Sequence, residues 1–201
     1  TIMNVNDVNI TADRTDAGAG AVGLYINYGK LNIKSATKID VETGDNVVNN
    51  EAIGVFALNG SEVDNKGTIT VKGDKSIGIV GMSYREENGA AIVNEYGAAG
   101  AGQGTISLKN EGSINLDGKE SVGIFVKNNK NVNNDTDVTN TKGENATGGK
   151  IELKGNGSVG MFAEGGTLKN AGNIKLAGPE STYGIFAKDN SRVTNETTGL
   201  I

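Results

Sequence analysis

Apolar residues along this chain recur at every second position in short bursts, and the bursts come back in the same order. One burst reads small residue, apolar residue, Gly, apolar residue and then usually an aromatic. Its copies are Ala21-Val-Gly-Leu-Tyr25, Ala52-Ile-Gly-Val-Phe56, Ser76-Ile-Gly-Ile-Val80, Ser121-Val-Gly-Ile-Phe125, Ser158-Val-Gly-Met-Phe162 and Thr182-Tyr-Gly-Ile-Phe186. A second burst alternates two apolar residues and ends at a Gly turn: Ile69 to Gly73, Ile114 to Gly118, Ile151 to Gly155 and Ile174 to Gly178, with Ile39 to Glu42 as a looser copy. A weaker third element ends at Asn, in Ser61–Asn65, Thr167–Asn170 and Ser191–Asn195. A period of two is the strand period, so each unit carries three short strands.

The motif glycines lie 31, 24, 45, 37 and 24 residues apart. A constant shortest unit with variable additions is how a solenoid tolerates loops, and a single coil of this size cannot bury its own apolar face. The expected fold is all-β: a parallel β-helix of about six coils of three short strands, interrupted by two inserted loops at about 82–104 and 127–149. The whole of 1–201 reads as one β-helical segment. Its opening at Thr1 and its close at Thr197–Ile201, which reads as the opening of another repeat, are expected to be the ends of a piece cut from something longer.

Strict alternation places Ile69, Val71, Ile77, Ile79, Ile114, Leu116, Val122, Ile124, Ile151, Leu153, Val159, Met161, Ile174, Leu176, Tyr183 and Ile185 inside. It puts the motif aromatics Tyr25, Phe56, Phe125, Phe162 and Phe186 on the outer face, whereas a bulge at the Gly would turn them in; the sequence leaves both open. Asn65, Asn110, Asn170 and Asn195 recur near one turn, and a stacked amide column along the axis is the expected reason.

Composition narrows the chemistry. Among 201 residues there is no Cys, His or Trp, which removes thiol nucleophiles, imidazole bases, disulfides and thiolate or imidazole metal sites. Thirty-one glycines mean a core of small side chains. The net charge is −5 and the only arginines are Arg14, Arg85 and Arg192, which argues against nucleic-acid binding. No stretch is long and apolar enough for a transmembrane helix, so the segment is not expected to insert into a membrane.

Loops on a rigid scaffold are the default recognition sites. The candidate binding residues are therefore Tyr84, Arg85, Glu86, Glu87 and Tyr96 in the first insertion and Asn128, Asn131, Asp135 and Asp137 in the second. Asp135-Thr136-Asp137 offers hard oxygen ligands but lacks a full calcium-loop spacing, so no metal and no cofactor are expected. A glycan-cleaving β-helix would need paired carboxylates at facing positions of successive coils. Glu86 and Glu87 are neighbours that a strand would point apart, no acidic cluster recurs from coil to coil, and catalysis is not expected.

The tandem Ser-x-Gly-Ile-Phe-Ala-like copies, such as Ser158–Ala163 and Thr182–Ala187, each preceded by Gly-x-Ile-x-Leu-x-Gly, resemble the passenger repeats of large autotransporter adhesins, with fusobacterial outer-membrane adhesins the nearest in style. The resemblance runs from about Val8 to Asn195. It implies type V secretion, a place on the cell surface held by a C-terminal barrel outside this sequence, and attachment to a protein or glycan of another bacterium or a host cell. The alternative within the same family is a rigid stalk; either way the chain is expected to act as a monomer. No site residues transfer from the family.

Overall fold

A computed structural model describes residues 2–6, 8–14, 20–43, 51–82, 85–87, 90–92, 105–128, 141–178, 180 and 182–201. The first coil comprises β1 (Ile2–Val5), β2 (Asn9–Arg14) and β3 (Ala21–Asn27). The second holds β4 (Lys30–Ile33), β5 (Lys38–Thr43) and β6 (Ala52–Leu58), and the third β7 (Glu62–Asn65), β8 (Thr68–Lys72) and β9 (Ile77–Met82). A small ribbon follows, β10 (Arg85–Glu87) with β11 (Ala90–Ile92). The fourth coil is β12 (Ile106–Asn110), β13 (Ser113–Leu116) and β14 (Val122–Lys127); the fifth is β15 (Thr141–Asn145), β16 (Lys150–Leu153) and β17 (Val159–Glu164). The sixth is β18 (Thr167–Asn170), β19 (Asn173–Leu176) and β20 (Tyr183–Lys188), and β21 (Arg192–Asn195) opens a seventh.

Corresponding strands stack into three parallel sheets. Sheet A runs β1-β4-β7-β12-β15-β18-β21, sheet B runs β2-β5-β8-β13-β16-β19, and sheet C runs β3-β6-β9-β14-β17-β20. The fold is a parallel β-helix. Its register keeps like over like: Ile10, Ile39, Ile69, Ile114, Ile151 and Ile174 form one column of sheet B. From Ile39 onward that column is buried. Strands about 4.8 Å apart bring these side chains into contact, so each coil covers its neighbour's core.

The motif glycine joins the two stronger sequence motifs. A Cβ on Gly123 would lie 2.6 Å from Ile151 Cγ2, and one on Gly160 would lie 2.5 Å from Ile174 Cγ2. The same pairing recurs as Gly23 with Ile39, Gly54 with Ile69, Gly78 with Ile114 and Gly184 with Ile201. Each Gly up to Gly160 is thus the seat for the isoleucine of the next strand in sheet B, Gly184 seats Ile201 beyond the last of those strands, and the motif admits no larger residue there.

That seat settles the orientation the sequence left open. In β14 the burial runs from half-buried Val122 to buried Gly123 and Ile124, half-buried Phe125 and buried Val126. Gly and the residue after it both face in, which breaks the alternation once. The aromatics face out. The residues before Gly face out as well, which corrects the inward placement of Ile77, Val122, Val159 and Tyr183: the first three are half-buried and Tyr183 is exposed. Their expected places in the core are taken by Ala57, Val126 and Ala163 beyond the aromatic.

Two polar ladders run through the buried corners. Asn65, Asn110, Asn145 and Asn170 are fully buried, and each donates Nδ2–H to the Oδ1 of the next, at 2.8, 2.9 and 2.9 Å, before Asn170 donates to Asn195 at 2.8 Å. Asn145 is a member that the sequence reading placed inside an insertion. At the corner between sheets B and C, Ser121 and Ser158 accept from the backbone N–H of Ser76 and Ser121 at 3.2 and 3.1 Å. The amides of the Asn ladder are tolerated in the interior because, from the third coil on, each coil supplies the partner of the next.

Candidate functional site

The three outer faces differ in chemistry. On sheet A, Lys30 pairs with Glu62 at 3.1 Å, Lys66 with Glu111 at 3.1 Å, and Lys169 lies between Glu144 and Glu196 at 3.6 and 3.5 Å; Lys109 also pairs with Glu111. On sheet B, Lys72 pairs with Glu42 at 2.9 Å, Lys154 with Asp117 at 2.8 Å and Lys175 with Glu152 at 2.8 Å. Most of these pairs link successive coils. Hydrogen bonds from Lys109 and Lys66 hold the Glu111 carboxyl below its ordinary range, and Lys175 does the same for Glu152. Hydrogen bonds to Glu42, Glu111 and Asp117 raise Lys72, Lys109 and Lys154 in turn. Two faces therefore present balanced, locally neutralised charge.

Sheet C presents the opposite surface. Its outward columns are Val22, Ile53, Ile77, Val122, Val159 and Tyr183, and Tyr25, Phe56, Val80, Phe125, Phe162 and Phe186. Phe125 and Phe162 stack face to face with centroids 5.0 Å apart and an angle of 9°. Phe162 meets Phe186 edge-on at 5.4 Å, and Tyr25 meets Phe56 edge-on at 5.7 Å. Phe125 and Phe162 thus each give one face to the other. Charge returns at both borders: Glu51, Lys75 and Glu120 are exposed at the corner with sheet B, and beside sheet A Glu164 lies 3.8 Å from Lys127 and 3.2 Å from Lys188, with Lys188 Nζ 5.8 Å from the Phe162 centroid.

Both long insertions leave at that same border. The first follows Met82 and the second follows Lys127, and these two residues are register partners. The chain returns at Ile106 and Thr141, again register partners. Two insertions widely separated in sequence are thus rooted side by side, one strand spacing apart, at the edge of the apolar face. The second is shorter than the interval 127–149 read from sequence, since Thr141–Asn145 is a regular strand paired with β12 and β18.

Of the candidate loop residues, Arg85, Glu86 and Glu87 form β10, in antiparallel register with Ile92, Ala91 and Ala90. Asn128 extends the ladder beyond β14, its N–H donating to the Glu164 carbonyl at 2.9 Å. Tyr84, Tyr96, Asn131, Asp135 and Asp137 lie outside the described residues. Among the described residues no group of three or more acidic side chains is placed to hold a metal ion, and no helix is long and apolar enough to cross a membrane.

The candidate site is therefore the aromatic strip of sheet C with the insertions at its rim. Sequence reasoning named the rim and left out the strip as a site. The signal was present in the repeated aromatic after Gly-Ile or Gly-Met, but using it needed the orientation that the Gly seat decides. The chain matches no protein-family model, no curated protein and no solved structure.

Proposed function

We propose that this chain is a segment of a bacterial surface adhesin of the autotransporter kind, in which a β-helical rod carries a lateral contact surface. One observation carries the reading: two faces of the rod are ion-paired while the third is apolar and aromatic, with two long insertions rooted together along its edge. Apolar patches rimmed by polar residues mark interaction sites. Clustered rings flanked by aliphatic side chains suit an apolar patch on a surface protein or the apolar face of a glycan. Surface display, secretion through a barrel and attachment to bacterial or host cells follow from the resemblance of the repeats, and no catalytic or cofactor role enters this reading.

The test is binding of the labelled chain to panels of bacterial and host cells, beside two variants. In one, both insertions are replaced by the short corners the protein already uses, Asn59–Ser61 and Gly165–Gly166, which cross between the same sheets. In the other, Phe125 and Phe162 become Ser. Binding by the intact chain and its loss in either folded variant is the expected result. A chain that binds no cell in the panel is a stalk, and the adhesive reading of this segment falls.

A further inference from the structure

The outward residues of sheet C are half-buried or exposed with two clear exceptions near its middle. Leu58 is 2% exposed and Val80 0%, and neither belongs to the core enclosed by the coils. Both adjoin the point where the first insertion departs. Leu58 is the register partner of Met82, and Val80 lies two residues before Met82 on the same strand. At the other register positions of the corner column, Asn27, Met82, Lys127 and Glu164 stay half-buried and Lys188 is exposed.

The ribbon β10–β11 begins three residues after Met82 and is a two-stranded sheet with no further partner strand among the described residues. An isolated two-stranded hairpin is at best marginal in water, so a formed one calls for a supporting surface. The ribbon's sequence is divided between its strands: Arg-Glu-Glu in β10 and Ala-Ala-Ile in β11. We propose that this hairpin lies back on the outer face of sheet C, with β11 toward the solenoid, and is what covers Leu58 and Val80. Three residues reach at most about 11 Å, and Leu58 lies only one strand spacing, about 4.8 Å, from Met82. The first insertion then begins as a docked ledge. The ledge's relevance to binding rests on the adhesive reading above; its docking does not.

The chain has no cysteine, so an introduced pair is the only possible disulfide. Leu58→Cys is combined in turn with Ala90→Cys, Ala91→Cys and Ile92→Cys in the full chain. Under mild oxidation at least one pair is expected to close as an intramolecular disulfide, which needs Cα atoms within about 7 Å. Val159→Cys combined with the same three positions is expected to stay reduced. Hydrogen exchange gives the second readout: the amides of β10 and β11 are expected to exchange at least about tenfold more slowly than in an unstructured peptide. That protection is expected to vanish in a Leu58→Lys, Val80→Lys variant while β13 and β16 keep theirs. Failure of all three pairs to close, equal closure of the control pairs, or exchange of the ribbon at unstructured rates would overturn the proposal. No readout depends on cell binding, so the ledge and the adhesive function stand or fall separately.

Discussion

Two residue types hold this protein to its geometry, and each makes a measurable demand. A Cβ at Gly123 meets Ile151 Cγ2 at 2.6 Å and the Gly160 carbonyl, so Gly123→Ala is expected to overpack the seat and cost about 1–3 kcal/mol. Gly148 is the contrast, with φ of +90° and open space around its Cα; there Ala meets only backbone strain, about 1–2 kcal/mol. Denaturant melts measure both costs, and a Gly123→Ala protein as stable as the parent would remove the seat argument. Asn145 makes the second demand. It accepts from Asn110 and donates to Asn170, so Asn145→Leu leaves buried groups on both sides without that partner and is expected to cost about 1–3 kcal/mol for each one stranded. The same change at the exposed Asn195 strands only the Asn170 donor and is expected to cost less, and an Asn145→Leu melt equal to the parent's would show that the ladder does not stabilise the fold.

At the scale of the strand, legibility followed how many apolar side chains each element turns inward. Every strand of sheet C announced itself through its Gly motif. Those of sheet B did so through paired apolar residues, apart from β2, where Ala12 stands in the second position and weakens the pattern. Sheet A was harder to read: β1, β4, β12 and β15 escaped. From β7 onward its strands turn in one Val or Leu, or Gly143 in β15, and then an Asn, with Ile106 a second apolar residue in β12 alone, so hydrophobic alternation shrinks to one or two residues. The candidate site was half legible, because the roots of the insertions could be placed while the outward aromatics depended on a phase break invisible to a strict period of two. The strands also carry the pH dependence. Glu111 and Glu152 are lowered by their lysines, so their contribution is complete above the unfolded carboxylate value of about 4.3 and is lost as pH falls through the lowered folded value. Lys72, Lys109 and Lys154 are raised; their contribution is complete below about 10.4 and is lost as pH rises through the raised value. Thermal melts should be nearly flat between those limits and shift only modestly beyond them, since exposed pairs are weak. Glu111→Gln should make the acid limb shallower, and an unchanged limb would remove Glu111 from it.

For the whole molecule, stability should be graded along the axis. Ile185 and Val193 occupy positions whose equivalents one coil earlier, Met161 and Leu168, are fully buried, yet Val193 is 44% exposed. Hydrogen exchange is expected to be slowest in β8, β13 and β16 and fastest in β19 to β21, since coils covered on one side open at lower cost; uniform protection would contradict a solenoid whose coils depend on their neighbours. The amide ladder adds a further consequence. Every Asn in it gives its N–H in one direction along the rod, so each coil from the third onward arrives with the same plug at one end and the same socket at the other. Splicing Gly149 directly to Asn173 would join equivalent positions, since Lys150 and Asn173 are register partners, and would let Asn145 donate to Asn195. The fold is in this sense punctuated for copying: a gene that gained or lost a coil by unequal recombination would still encode matched connectors, and the length of the rod could drift while its architecture stayed the same.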